Sequence, residues 1–243
     1  MYTWETRIRY SEVDERGFLK LPAVVDYFQD CSTFQSEDVG FGIAWLASSH
    51  RVWVVNAWQI EISRLPRIGD RIIVGTNPYE IKGFLGLRNF FLQTESGEML
   101  VMANSVWSFL DLDKSTMERA PQEMSDAYGL GERLDMNYLP RKIPFPGESE
   151  PEKKPPVEVQ TTHLDTNHHV NNGQFFHIAM QEAFGDTMPQ VARLRVEYKK
   201  QAHLGDLLYP VIARGTQVPA GPVTIALNDE NGLPYCAAEI TLC

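Results

Sequence analysis

Between Thr161 and Asn172 the chain reads TTHLDTNHHVNN. Three of its six histidines, three asparagines and Asp165 fall there within ten residues. Three kinds of chemistry suit that composition. Asn and Asp side chains accept backbone N–H groups, so the stretch could be a polar turn or a helix cap. His163, Asp165, His168 and His169 carry metal-ligating atoms, although no HExxH-type spacing is present. An acid, an amide and an imidazole could also serve attack on a carbonyl. If residues 165–169 are extended, Asp165, Asn167 and His169 share one face, and Thr166, His168 and Val170 take the other. A following helix would bring unpaired backbone N–H groups near Val170 and Asn171, suited to a developing oxyanion. His50, His177 and His203 stand apart from the cluster and read as structural.

The elements that must position this cluster occur twice. WQIEISRLPRIGD (Trp58 to Asp70) aligns without a gap on LRVEYKKQAHLGD (Leu194 to Asp206). Upstream, IRYSEVDERGFLKL (Ile8 to Leu21) aligns on VQTTHLDTNHHVNN (Val159 to Asn172). The same order in both halves indicates a duplication. In the first half Pro22 opens a helix in which Val24, Phe28 and Cys31 recur at helical spacing. In the second, Asn171 and Asn172 cap a helix with apolar Phe175, Phe176, Ala179, Met180, Ala183 and Phe184, stopped at Gly185. Each helix is followed by runs rich in β-branched and aromatic residues, from RVWVVNAWQIEI to YCAAEITL. The expected fold is α+β: two tandem domains, each an antiparallel sheet wrapped around a long central helix. The expected boundaries are 1–112, a connector at 113–157, and 158–243. The Pro- and charge-rich end of the connector suits a path across the surface, and APQEMSDAYGL suits a short helix.

Composition narrows the partners. A net charge of −10 opposes general nucleic-acid binding. No run approaches the roughly 20 apolar residues of a membrane helix. The opening MYTWETRIRY lacks a secretory or transit character, so a cytoplasmic location is expected. Cys31, Cys236 and Cys243 have neither CxxC spacing nor an even number, against a disulfide framework or a cysteine-based zinc site. Neither metal nor cofactor is expected.

The string LDTNHHVNN, with VEYKKQAHLGD beginning at Val196, resembles the C-terminal half of fatty acyl-acyl carrier protein thioesterases. The opening IRYSEVDERGFLKLPAVVDYFQDCS resembles their N-terminal half, so the resemblance spans nearly the whole chain. It implies a double hotdog in which the first half shapes the acyl pocket and the second carries the chemistry. The family's catalytic Asp, Asn and His fall on Asp165, Asn167 and His169. Its water-activating Glu falls on Gln201, and a Cys once proposed as nucleophile falls on Ala202. An amide takes up no proton near neutral pH, so Gln201 could only hold a water. The first half, with Asp14, Arg16 and Phe18 at the matching places, lacks the set.

The implied reaction is hydrolysis of a fatty acyl thioester carried on the phosphopantetheine of acyl carrier protein. His169, with an ordinary pKa of roughly 6.5, suits the base better than Asp165. An acidic carrier would need local positive charge, for which Arg193, Arg195, Lys199 and Lys200 are candidates, with Arg141 and Lys142. An acyl-CoA hotdog thioesterase, a hotdog dehydratase and a non-catalytic acyl-binding protein are the alternatives. Oligomeric state is open, with a homodimer among the options.

Overall fold

Pro22 lies at the start of α1 (Leu21–Asp38), where a missing N–H breaks no helical hydrogen bond. Val24, Phe28 and Cys31 recur on one face of that helix and are fully buried. The computed structural model describes residues 1–145, 150–165, 167–185, 189–215 and 221–243. Two compact units result, Met1–Leu139 and Pro140–Cys243.

The first unit contains β1 (Tyr2–Arg7), α1, α2 (Ile43–Ser49), β2 (Arg51–Ile62), β3 (Arg71–Lys82), β4 (Leu85–Thr94) and β5 (Met99–Asp111). Its strands pair antiparallel in the order β1-β3-β4-β5-β2, and β6 (Thr116–Met117) pairs with β5. α1 packs on this sheet through Phe28, whose ring lies 5.1 Å from Phe90 and 6.0 Å from Trp58. β1 and α2 go beyond the sequence expectation. Seven residues make two helical turns, too few to display a period, and β1 buries no residue fully.

The second unit contains β7 (Glu152–Lys153), β8 (Val157–Glu158), α4 (Asn172–Phe184), β9 (Val191–Tyr198), β10 (Leu207–Arg214), β11 (Val223–Asn228) and β12 (Pro234–Leu242). Its order is β9-β12-β11-β10-β7, with β8 also on β10, and all pairings are antiparallel. Helix α4 buries Phe175, Phe176, Ala179, Met180 and Ala183 against it. Each unit is therefore a helix held in an antiparallel sheet, the hotdog arrangement.

The connector departs from a simple surface crossing. α3 (Gln122–Tyr128) forms where a short helix is expected, and it buries Met124 and Tyr128, one turn apart, beside Phe109 and Ala120. Gln59 on β2 bonds the Asn137 carbonyl and the Leu139 N–H, so the segment is strapped to the first sheet. In the second unit Arg195 on β9 bonds the carbonyls of Pro140 and Lys142, and Ile143 is buried. The low apolar content of this stretch conceals these few anchors. Residues 146–149 of the expected connector lie outside the described set.

Phe28 fills the space between helix and sheet, so Phe28→Ala leaves a cavity among aromatic rings. We expect a loss of about 3–5 kcal/mol in urea unfolding. A loss below about 1 kcal/mol would show that the ring is not central to this core.

Candidate active site

The cluster is organised by one carboxylate. Oδ1 of Asp165 accepts the N–H of Asn167 at 2.8 Å and that of His169 at 3.4 Å. Asp165 N–H donates to the His169 carbonyl at 2.8 Å, and His168 N–H donates to the Asp165 carbonyl at 3.1 Å. The result is a closed turn, not the extended strand that alternation requires, and His168 takes a left-handed φ of 61°. Asp165, Asn167 and His169 are still presented from one turn. Thr166 lies outside the described residues.

The first unit repeats this construction atom for atom. Oδ1 of Asp14 accepts the N–H of Arg16 at 3.0 Å and of Phe18 at 2.9 Å. Asp14 N–H donates to the Phe18 carbonyl at 2.8 Å, and Gly17 fills the left-handed position with φ 81°. Leu19 N–H donates to the Pro66 carbonyl just as Val170 N–H donates to that of Ala202, both at 2.9 Å. These pairs fall in the register of the sequence alignment.

Each expected site residue can now be placed. Asn167 is exposed, and among the described residues its side-chain amide has no hydrogen-bond partner. His169 is half-buried, and its ring stands edge-to-face against His203, with centroids 4.8 Å apart. Burial first, and then His203, push the His169 imidazole below its ordinary pKa, with His168 acting in the same direction and Asp165 opposing. Gln201 is exposed, on the segment that bonds Val170 through Ala202. His203 was not part of the expected set. Its only signal in the sequence is its alignment with Arg67, which lies 4.5 Å over the Phe18 ring.

Two expectations need correction. Val170 and Asn171 do not offer spare donors, since Val170 N–H is held by Ala202 and Asn171 N–H donates to the His163 carbonyl at 2.9 Å. Asn171 instead caps α4, its Oδ1 accepting Gly173 N–H at 2.8 Å. Tyr198 also pins this end, its hydroxyl donating to the Asn172 carbonyl. The basic candidates on β9 are mostly engaged. Arg195 is buried against Glu239 at 2.7 Å, so it cannot dock a partner. Lys199 pairs with Glu197 at 3.1 Å, and Lys200 pairs with Asp229. Arg193 is half-buried on the same strand, while Arg141 is 3.9 Å from Glu197 and Lys142 is exposed.

His163 is likewise structural, its Nδ1 accepting the Gln160 N–H at 3.1 Å. Among the described residues no three His, Cys, Asp or Glu side chains converge as a metal site would require. Burial pushes the Cys31 and Cys236 thiols up to about 12, so neither forms a thiolate near neutral pH.

Comparison with known proteins decides the family. The acyl-ACP thioesterase N-terminal domain matches residues 1–128, and the acyl-ACP thioesterase C-terminal domain matches residues 148–238. The chain belongs to the acyl-ACP thioesterase family. Curated relatives include the chloroplastic acyl-[acyl-carrier-protein] hydrolase FATB1 of Cuphea viscosissima, 22% identical over 85% of this chain and 52% of its own length. Another is the chloroplastic oleoyl-acyl carrier protein thioesterase 1 of Arabidopsis thaliana, 23% identical over 68% of this chain and 50% of its own. The chain thus spans about half the length of these relatives. Among solved structures, an acyl-ACP thioesterase from Bacteroides thetaiotaomicron superposes with TM-score 0.87 at 19% identity, over 99% of this chain and 97% of that one. The 12:0-ACP thioesterase from Umbellularia californica gives 0.84 at 18%, over 100% and 96%. These likenesses show the double hotdog fold.

Within this turn, Asp165 has a structural duty that an amide oxygen can share. Asp165→Ala is expected to cost about 1–2 kcal/mol in urea unfolding, and Asp165→Asn less than half as much. Equal losses would remove the turn-closing role. His168→Gly, which copies Gly17, is expected to stabilise the chain by about 0.5 kcal/mol by relieving the left-handed backbone. A lowered unfolding midpoint would mean that the His168 side chain contributes contacts outweighing that strain.

Proposed function

We propose that this chain hydrolyses fatty acyl thioesters carried on acyl carrier protein, releasing fatty acid and the carrier thiol. The observation that carries this reading is the difference between the two matched turns. One backbone presents Arg16 and Phe18 in the first unit, and Asn167 and His169 in the second. Only the second set can bind a carbonyl oxygen and accept a proton from water. The curated relatives, named for hydrolysis of acyl carrier protein thioesters, support the carrier.

In the proposed step, the Asn167 amide donates to the thioester carbonyl oxygen as negative charge develops there. Water adds to the carbonyl carbon while His169 takes one of its protons. Collapse of the tetrahedral adduct breaks the C–S bond, and the imidazolium returns the proton to the thiolate sulfur. In this reading Gln201 holds the water by hydrogen bonding and has no role as a base.

We further infer that the first unit supplies the acyl pocket. It contains a cavity of about 70 Å³ walled by Trp53, Ile81, Leu87 and Trp107, and Arg88 also lines it. The unpaired cysteines suit a reducing, cytoplasmic setting.

Thiol release from acyl carrier protein thioesters of graded chain length tests the reading, beside matched CoA thioesters. His169→Ala should lower kcat/KM by about 10²–10⁴-fold and Asn167→Ala by about 10²–10³-fold. Activity needs neutral His169, whose pKa is depressed. Its acid limb should therefore lie below about pH 6.5, with activity lost as pH falls through it. No thiol release at any chain length would overturn the hydrolase reading, and faster release from CoA would reassign the carrier.

A further inference from the structure

The duplication supplies an internal control for the surroundings of His169. In the first unit Phe18 and Arg67 meet at 4.5 Å; in the second, His169 and His203 meet at 4.8 Å. The backbone holding the second partner is also the same. Arg67 N–H bonds Oδ2 of Asp70 at 2.8 Å, and His203 N–H bonds Oδ2 of Asp206 at 2.9 Å. Two positions in contact have therefore diverged together. A ring that binds no proton and a cation that never releases one stand opposite two imidazoles.

Building on the hydrolase reading, we propose that His203 is a positioning residue: its ring seats the His169 imidazole and keeps it in the unprotonated state that can accept a proton from water. The seating follows from the edge-to-face geometry, in which each ring restricts the other's rotation. The electrostatics follow from distance, since one imidazolium opposes a second some 5 Å away by about 1 kcal/mol even at the dielectric constant of water. The other groups facing His169 are Asp165 and His168 from its own turn. His203 lies next to Asp206, which also accepts the Tyr235 hydroxyl at 3.2 Å. With an amide at Gln201, proton transfer in this site depends on an imidazole, and His203 preserves the one that performs it.

A packing role alone would give the same result for any substitution at 203, whereas an electrostatic role gives opposite signs. His203→Ala removes an opposing charge and some burial. His203→Arg installs a permanent cation where Arg67 already shows that one is accommodated over the neighbouring ring. The titration of His169 is followed by ¹⁵N-imidazole NMR on the whole chain, with its signal identified by its loss in His169→Ala. We expect a midpoint about 0.5 pH unit higher in His203→Ala and about 0.5–1 unit lower in His203→Arg. The acid limb of thiol release should move in the same two directions. Shifts of the same sign in both variants, or no shift in either, would overturn the proposal. If the wild-type chain releases no thiol, the hydrolase reading fails while the NMR titration still decides the effect of His203 on His169.

Discussion

A carboxylate oxygen accepting the backbone N–H groups two and four residues after it is the contact on which each unit's opening depends. Asp14 and Asp165 both make it, the longer-range bond being 2.9 Å in the first unit and 3.4 Å in the second. Together the two bonds contribute about 1–2 kcal/mol, enough to hold a neighbouring residue left-handed. The turn places residues 164 and 170 opposite each other as an antiparallel bridge, and Val170 then reaches Ala202. Asn171 reaches back to His163 and caps α4. The helix start, the His169 ring and the 201–203 segment are thus fixed by consequences of one side chain.

Sheet alternation explains why so much charge near this site is already engaged. On β9, Leu194 and Val196 are buried in the unit's core, while Arg195 and Glu197 take the other face. There they meet the incoming connector: Arg195 bonds the carbonyls of Pro140 and Lys142, and Glu197 accepts the Ile143 N–H. Gln59 has the corresponding task on β2 with Asn137 and Leu139. A buried guanidinium needs this many acceptors to offset its desolvation, so Arg195 is better explained by anchoring than by recognition.

Much of this was legible in the sequence because repetition amplifies weak signals. The long strands and both long helices follow from apolar periodicity, and the gapless alignments set the bonded pair Ile8–Asp70 of the first unit in the same register as Val159–Asp206 of the second. Side-chain direction in residues 165–169 was not legible. Alternation presumes an extended chain, and an Asp two residues before an amide donor overrides it by closing a turn. The same override occupies the donors of Val170 and Asn171. His203 reads from sequence as a structural histidine because its partner is 34 positions away; only the match with Arg67 and Phe18 connects them. The connector's anchors were hidden for a related reason, since a few buried residues do not alter the composition of a long polar segment.

The two units show how chemistry can change without refolding. The backbone hydrogen bonds of the turn and of the facing loop are conserved within the molecule, so the differences at 16 and 167, 18 and 169, and 67 and 203 leave the scaffold's energetics largely intact. Where the second unit does depart from the cheaper solution, it has His168 at the left-handed position that Gly17 occupies without strain. Such strain is tolerable because the Asp165 carboxylate and the antiparallel bridge over-determine the turn. In the proposed reaction, Asn167 and His169 act from a turn whose backbone Asp165 closes. On that reading its reactivity is governed by the environment of a single imidazole, through burial and through the ring beside it.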